Sequence, residues 1–236
     1  MNPRAVLFDL YYTLVCERED NPFYETVAGE LGLALETFRP HYNACGRPTM
    51  RGELDGMVGR VTEACRLAGH LAAPEAIIDV VERNMELFYG SVFIYGDAPD
   101  TLRRLRAGGF RLAIVSNASP YSEEVLRRSG LVADVDDIVM SYTLGTLKPD
   151  PRLYTEACQR LGVSPGDAIY VGDGGDDELE GARRIGMGTI LVDRGLRHTD
   201  AARRFADREC KRLGEVVSAM TDLTSTLPEA RRAAYR

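Results

Sequence analysis

Four separate groups of polar residues in this sequence carry side chains that can act together in catalysis. Asp9 follows the apolar run at residues 5–8, Ser116 follows a second apolar run, and Asp173 follows a third after one glycine. Lys148 lies in a loop segment directly before a proline. The carboxyl ends of parallel strands meet at one edge of an open α/β sheet, where such folds bind their ligands. We therefore predict one site that unites two carboxylates, a hydroxyl and a cation.

This set of side chains favours the transfer of an anionic group. A carboxylate such as Asp9 can act as a nucleophile that forms a covalent intermediate. For a phosphoryl group, Lys148 and the Ser116 hydroxyl would offset the charge of the transition state. Mg²⁺ prefers oxygen ligands, so the two strand-end carboxylates would hold it, with Asp177 and Glu178 orienting its waters. Each residue alone also fits a turn, a surface charge or a solvated helix N-terminus, but their joint occurrence favours a site.

The elements that must position these residues alternate along the chain. Apolar and β-branched runs predict buried parallel strands, with helical patterns between them. This alternation predicts an α/β fold with a doubly wound parallel sheet. The predicted strands are 5–8, 112–115, 138–140, 168–171, 189–192 and 210–212, and the predicted core helices are 100–107, 123–129, 151–161, 177–185 and one from Leu213.

The stretch between the first strand and the second is far longer than a crossover requires. Residues 16–91 show only helical patterns, at 23–31, 35–44, 52–68 and 74–89, whereas a crossover needs about a dozen residues. We predict an inserted helical cap over the strand ends, and a catalytic core formed by residues 1–15 and 92–236. A lid is the natural function of such a cap, and a purely structural insertion is the alternative. The tail at 224–236 is predicted to fray.

The composition limits the partners that we expect. A net charge of -7 and a pI near 5.1 disfavour nucleic acid and membrane surfaces. Five scattered cysteines without a CxxC pair indicate reduced thiols, and the N-terminus shows no secretory pattern. We expect a cytoplasmic monomer or homodimer that acts on a small molecule.

In their order along the chain, these residues resemble the four motifs of the haloacid dehalogenase superfamily. The resemblance runs over residues 5–192, and the insertion is similar to the C1 cap of that superfamily. It implies a Rossmann-like core with a mobile cap. The matching residues are Asp9-x-x-x-Thr13, Ser116-Asn117, Lys148-Pro149, and Gly172-Asp173 with Asp177-Glu178.

The resemblance also implies a role for each motif. Asp9 would be the nucleophile, the Ser116-Asn117 motif would bind the transferring group, and Lys148 would hold the nucleophile and that group together. Mg²⁺ would be bound by Asp9, the Tyr11 backbone carbonyl and Asp173.

The first motif departs from the phosphatases of that superfamily at two positions. Tyr11 stands where they carry a second aspartate, which protonates the leaving oxygen and later activates water, and Tyr12 stands in place of a glycine. Loss of a general acid–base group costs about 10²–10⁴ in rate, and a phenol with a pKa of about 10 is a poor base at neutral pH. A fast phosphatase for simple alkyl esters is therefore disfavoured.

The 2-haloacid dehalogenases of the same superfamily also carry Asp-x-Tyr in this motif. Halide leaves without a proton, and their reaction needs no metal. Arg39 lies at about the place of their cap arginine for the substrate carboxylate and halide, and Tyr154 lies where they keep a tyrosine. The other arginines of the insertion are expected to be mostly solvated; they include Arg47, Arg51 and Arg60.

The fourth motif favours phosphoryl chemistry instead. Without a metal, Asp9, Asp173, Asp177 and Glu178 would crowd four negative charges into one pocket and raise the carboxylate pKa values. A divalent cation resolves that conflict. We predict a Mg²⁺-dependent phosphohydrolase of a small phosphorylated metabolite, acting through an aspartyl-phosphate at Asp9. The alternatives are a metal-independent 2-haloacid dehalogenase and a catalytically weakened binding or regulatory homologue.

Overall fold

A parallel β-sheet forms the centre of the computed structural model, which describes residues 4–196 and 198–220. In chain order the strands are β1 (Ala5–Phe8), β2 (Val15–Glu17), β3 (Val92–Ile94), β4 (Arg111–Ser116), β5 (Asp137–Met140), β6 (Ala168–Gly172), β7 (Gly188–Val192) and β8 (Arg208–Cys210). Six of them are parallel in the order β5-β4-β1-β6-β7-β8, while β2 and β3 form a separate antiparallel ribbon. The predicted α/β fold is confirmed.

The helices fall into two groups. Those of the insertion are α1 (Phe23–Glu30), α2 (Leu35–Ala44), α3 (Gly46–Met50), α4 (Gly56–Leu67) and α5 (Pro74–Gly90), and together they form a cap-like bundle. Those of the core are α6 (Ala98–Ala107), α7 (Ser122–Ser129), α8 (Ser141–Leu144), α9 (Pro151–Arg160), α10 (Glu178–Arg184) and α11 (Thr199–Ala202). The predicted helical insertion after the first strand is therefore confirmed.

Strand β1 occupies the position in the sheet where the strand order changes direction. It pairs with β4 on one side and β6 on the other, so that Phe8 is in register with Ile114 and Val171. The next residue, Asp9, donates its backbone N–H to the Val171 carbonyl at 2.9 Å. Such a switch point opens a crevice outside the carboxyl ends of the strands, and the ends of β1, β4 and β6 border it.

Alternate residues of β1 enter two different apolar clusters, as expected for a strand covered on both faces. Ala5 and Leu7 pack into a cluster with α9 and α10. Val6 and Phe8 pack into a larger cluster, which also contains residues of α6 and of the insertion helices. The insertion is therefore packed onto the core through a shared apolar cluster.

Two predictions for the insertion are wrong in detail. Residues 52–68 do not form one helix, because α3 ends at Met50 and α4 begins only at Gly56. Gly52 has φ +73°, and a Cβ there would lie 2.8 Å from the Tyr142 carbonyl oxygen, so the chain turns at this point. The β2–β3 ribbon was not predicted, since strands of three residues carry too little periodicity to be recognised.

The remaining differences concern element ends. The last strand is Arg208–Cys210, two residues earlier than predicted, and α10 begins at Glu178. A short helical turn follows from Leu213, as predicted. The tail predicted to fray lies outside the described residues. Across 4–196 and 198–220, no helix combines the length and hydropathy that a membrane crossing requires.

Candidate active site

Three buried carboxylates meet at the crevice beyond β1 and β6. Asp9 follows β1, Asp173 follows β6, and Glu178 begins α10. One carboxylate oxygen of each lies within 4.8 Å of the others. Ser116, the last residue of β4, is also buried and borders the same cavity. The structure thus brings together Asp9, Asp173 and Ser116, which the sequence places after successive strands, and adds Glu178 from the start of α10.

The Lys148 ammonium lies between two of these carboxylates. Its Nζ donates to Asp9 Oδ1 at 2.5 Å, to Glu178 Oε2 at 2.6 Å and to the Tyr170 hydroxyl at 3.0 Å. The lysine backbone is held in turn by the Asn117 side chain, whose Oδ1 accepts the Lys148 N–H at 2.8 Å. Asn117 therefore positions the cation, and the predicted pairing of Lys148 with Asp9 is present.

The pKa values show that negative charge is in excess here. Burial raises the pKa of Asp9 well above its usual range, and although Lys148 lowers it, Glu178 and Asp173 raise it further. Burial and the nearby Glu178 raise the pKa of Asp173 to about 7. Burial opposes the charged form of Lys148, but Asp9 and Glu178 outweigh it and raise its pKa. One lysine does not neutralise three carboxylates, so the donor set suits a hard divalent cation.

The Glu178 carboxylate is part of the charged cluster and contacts Lys148 directly, whereas the sequence predicts only a role in orienting the waters of a bound metal. Its Oε2 binds Lys148, and its Oε1 accepts the Gly174 N–H at 2.9 Å. The Tyr154 hydroxyl donates to the Glu178 carbonyl oxygen at 2.9 Å. Tyr154 is fully buried and is not among the residues that line the cavity, so its contact is with the backbone of α10.

Asp177 does not line the cavity, contrary to its predicted place near the metal. Asp176 and Asp177 both have left-handed φ angles, +50° and +52°, and both are exposed, but only Asp176 borders the cavity. Asp176 Oδ2 accepts from Asn117 Nδ2 at 2.6 Å, and its Oδ1 accepts from Arg47 Nη1 at 3.0 Å. Sequence reasoning missed this link between the cap and the core.

The two unusual tyrosines lie at the wall of the cavity. The Tyr11 hydroxyl is 3.1 Å from Ser122 Oγ, and burial raises the pKa of Tyr11 above its usual value, so it remains a neutral phenol. Tyr12 is 38% exposed with φ +59°, a left-handed conformation that costs a non-glycine residue about 1–2 kcal/mol. Thr13 is buried outside the cavity lining, and its Oγ1 has no hydrogen-bond partner among the described residues.

His198 is a further residue that sequence reasoning missed. Its Nε2 lies 2.9 Å from Asp173 Oδ2, and its ring borders the cavity. His198 lies between β7 and α11, outside the four motifs. No sequence signal therefore identified it.

The cap forms the roof of a cavity of about 460 Å³ over these groups. Arg39 does not reach this cavity, contrary to prediction: its guanidinium lies 4.2 Å from the centroid of the Tyr24 ring and is not part of the lining. Arg60, one of several insertion arginines expected to be mostly solvated, is buried and lines the cavity instead. The aromatic and apolar residues of the roof and upper wall are Tyr24, Tyr42, Met50, Phe88 and Tyr121.

The position of Arg60 follows from the periodicity of α4. The buried residues of this helix include Met57, Arg60, Val61 and Ala64, which recur at the spacing of one helical face. Arg60 thus occupies a position within the apolar stripe. That spacing is a signal of burial that can be read from the sequence.

Comparison with known proteins places this chain in a family. Residues 3–186 match the family described as haloacid dehalogenase-like hydrolase. A phosphoserine phosphatase from Thermus thermophilus is 32% identical over 184 residues, which cover 76% of this chain and 72% of that protein. A solved structure of an HAD phosphatase from Thermococcus onnurineus superimposes with a TM-score of 0.67 at 24% identity, covering 92% of this chain and 97% of that one. The latter similarity is one of fold.

Two further relatives carry different activities in their names. A glyceraldehyde 3-phosphate phosphatase from Methanopyrus kandleri is 41% identical over 102 residues, 43% of this chain and 44% of that protein. An (S)-2-haloacid dehalogenase 4A from Burkholderia cepacia is 36% identical over 107 residues, 45% of this chain and 46% of that protein. In both, the match spans less than half of the relative's length. Phosphatases and a dehalogenase are therefore both represented among the relatives.

Proposed function

The chain belongs to the haloacid dehalogenase-like hydrolases, and we propose that it is a Mg²⁺-dependent phosphohydrolase of a small phosphorylated metabolite. The observation that supports this most strongly is the packing of Asp173 and Glu178 against Asp9. Three buried carboxylates with a single lysine between them suit a divalent cation. A metal-free nucleophile at Asp9 would have to work against that uncompensated charge.

We propose a role for each residue of the cluster, and the contacts of Lys148 support it. Lys148 holds Asp9 Oδ1, which leaves the other carboxylate oxygen of Asp9 to attack phosphorus while the bond from phosphorus to the leaving oxygen breaks. Ser116 would donate to a phosphoryl oxygen. Glu178 and Asn117 hold Lys148 in place through its ammonium and its backbone N–H.

Asp9 and Asp173, together with the backbone carbonyl of Tyr11, would hold Mg²⁺. When bound, the ion neutralises charge on the carboxylates and on the phosphoryl group. The three carboxylates present an all-oxygen donor set, which fits a hard cation of this kind.

The proton is the part of the reaction that Tyr11 makes difficult. The leaving oxygen needs a proton, and the water that releases phosphate from Asp9 needs a base. The pKa of the buried Tyr11 phenol is raised, so Tyr11 can donate a hydrogen bond but is poorly suited to either proton transfer. We propose substrates whose leaving group departs with little protonation, or which supply the proton themselves.

A second candidate function is metal-independent 2-haloacid dehalogenation. The Asp9-x-Tyr11 pattern and the similarity to the (S)-2-haloacid dehalogenase 4A support it. Halide leaves without a proton, so Tyr11 is no handicap to that reaction. The acidic cluster counts against it, because Asp173 and Glu178 have no part in a metal-free displacement at Asp9.

A panel assay separates these two functions from each other and from a third possibility, a catalytically weakened binding homologue. Phosphorylated metabolites and 2-chloropropionate are offered with Mg²⁺ and with excess chelator, and Asp9→Asn is the control. The proposal predicts phosphate release only with Mg²⁺ and none from Asp9→Asn. Halide release in chelator would establish the dehalogenase, and ligand binding without any turnover would establish the binding homologue.

A further inference from the structure

Arg60 is a buried cation in the roof of the active-site cavity. Its Nε donates to the Tyr42 carbonyl oxygen at 3.1 Å, and its Nη1 donates to the Tyr121 hydroxyl at 2.8 Å. The guanidinium carbon lies 3.8 Å from the centroid of the Tyr42 ring. The side chain is therefore held in a fixed orientation by neutral groups from both the cap and the core.

No carboxylate of the described residues lies within ion-pair distance of Arg60, although many other arginines of this chain have such a partner. Burial of a charge without an opposite charge is costly. The pKa of Arg60 is nonetheless raised: burial opposes the charge, while Tyr42 and Tyr121 favour it. A buried, oriented and ionised guanidinium that borders a cavity is suited to bind an anion there.

The surroundings of Arg60 leave room for its guanidinium. A Cβ at Gly46 would lie 2.9 Å from Arg60 Nη2, so a side chain at that position would have to displace the guanidinium. The cavity that Arg60 lines also contains Asp9, Lys148 and Asp173 at the opposite, core side. Arg60 of the cap and the charged cluster of the core therefore border the same cavity.

We propose that Arg60 binds a second anionic group, carried by the leaving-group portion of the substrate. The substrate class is then a small phosphomonoester with a carboxylate or a further phosphate, which enters with its reacting phosphoryl group at Asp9. This inference rests on the proposed function for the position of the reacting group. Arg60 is assigned as a specificity residue, since it contacts the substrate away from the reacting atoms.

Kinetics of matched substrates test the assignment. 2-Phosphoglycolate carries a carboxylate that ethyl phosphate lacks, and the bisphosphate of ethylene glycol replaces that carboxylate with a phosphate. Arg60→Met should lower kcat/KM for the anionic substrates by roughly 100-fold or more, as when one partner of a buried charge pair is truncated, mainly through KM. Ethyl phosphate should be a slow substrate, because its leaving group needs a proton, and its kcat/KM should fall much less in Arg60→Met than that of the anionic substrates. The preferred anionic substrate identifies the second group as carboxylate or phosphate.

Two further variants separate charge from structure. Arg60→Lys keeps the charge without the planar fork and should retain part of the preference for anionic substrates. Arg66→Met changes an exposed arginine of the same helix, paired with Glu63, and should alter neither substrate's kinetics. Equal losses for anionic and neutral substrates in Arg60→Met would overturn the assignment and leave Arg60 a structural link between cap and core.

Binding to an inactive variant keeps the assignment testable if turnover is absent. Calorimetry with Asp9→Asn in Mg²⁺ should show tighter binding of 2-phosphoglycolate than of ethyl phosphate, and addition of Arg60→Met should abolish the difference. If that pattern appears but no phosphoester is hydrolysed by the wild type, the proposed function fails and the anion site stands. If Asp9→Asn binds both ligands equally, the anion site is wrong, whatever the turnover.

Discussion

Lys148 Nζ lies 2.5 Å from Asp9 Oδ1, and both side chains are buried. The two residues are 139 positions apart in the chain and are brought together because β1 and the loop before α9 meet at the crevice. The contact holds the Asp9 carboxylate, the proposed nucleophile, in one orientation and offsets part of its charge. It is the geometric basis of the nucleophile assignment.

Loss of the lysine should affect stability as well as activity. Lys148→Met leaves the Asp9 and Glu178 carboxylates without their buried cation, and removal of one partner of such a pair costs about 3–5 kcal/mol. We expect the free energy of unfolding, measured by urea denaturation without Mg²⁺, to fall by about that amount, and activity to be lost.

The chain offers a matched control for this variant. Lys211 is the only other lysine in the sequence, and it is exposed. Lys211→Met should leave both stability and activity unchanged. If Lys148→Met is as stable as Lys211→Met, the charged cluster is less tightly coupled than its geometry indicates.

Mg²⁺ should stabilise the folded protein in the absence of substrate. A ligand that binds only the folded state at about 100 times its dissociation constant adds about 2.7 kcal/mol. Thermal unfolding of the wild type should therefore shift upward on addition of Mg²⁺. Asp173→Asn should lose that shift, since it removes one of the proposed ligands.

Lys211→Met again serves as the reference, because it should show the full shift with Mg²⁺. An unfolding temperature of the wild type that does not depend on Mg²⁺ would count against a metal site at Asp173.

The absence of a second aspartate in the first motif should determine which phosphoesters are hydrolysed fast. With Tyr11 in place of an aspartate, rates for a series of aryl and alkyl phosphates should fall steeply as the pKa of the leaving group rises. Tyr11→Asp restores a carboxyl group that can transfer the proton and should raise kcat for alkyl phosphates, by up to about 100-fold at the lower end of general acid–base effects. Initial-rate kinetics across the series measure both effects.

Tyr11→Phe is the control, because it removes only the hydroxyl that contacts Ser122. It should leave the dependence on the leaving group unchanged. If Tyr11→Phe flattens or steepens that dependence, the phenol itself takes part in proton transfer, and our account of Tyr11 is wrong.

Two contacts in the link from cap to core should differ in their contribution to stability. The exposed Arg47–Asp176 pair should contribute less than the buried hydrogen bond between Asn117 and Lys148. Asn117→Ala leaves the buried Lys148 N–H without its acceptor, which should cost about 1–3 kcal/mol of unfolding free energy. Arg47→Met breaks only the exposed pair with Asp176 and should cost less than about 1 kcal/mol. Urea denaturation of both variants checks the order, and equal costs would contradict it.

The sequence was sufficient to predict the residues whose place depends on the sheet. Asp9, Ser116 and Asp173 follow apolar runs that form adjacent parallel strands, so their convergence follows from topology alone. Lys148 and Asn117 could also be assigned, since the motif order is shared with a known superfamily. The positions of these residues can be predicted without knowledge of side-chain packing.

The residues that were placed wrongly depend on local backbone or tertiary packing. Asp176, rather than Asp177, borders the cavity because two successive non-glycine residues adopt left-handed φ angles, which composition does not reveal. Arg60, rather than Arg39, lines the roof because Arg60 lies on the buried face of α4. The spacing along α4 carried that information, whereas the loop sequence carried none.

The central claim is that Asp9 accepts a phosphoryl group in a Mg²⁺-dependent step. The most direct measurement is rapid acid quenching of a single turnover with p-nitrophenyl phosphate, followed by mass spectrometry of the peptide that contains Asp9. Our account predicts a phosphoryl adduct on Asp9 that forms with Mg²⁺ and is absent with excess chelator and in Asp9→Asn. The absence of any adduct, together with halide release from 2-chloropropionate in chelator, would contradict it.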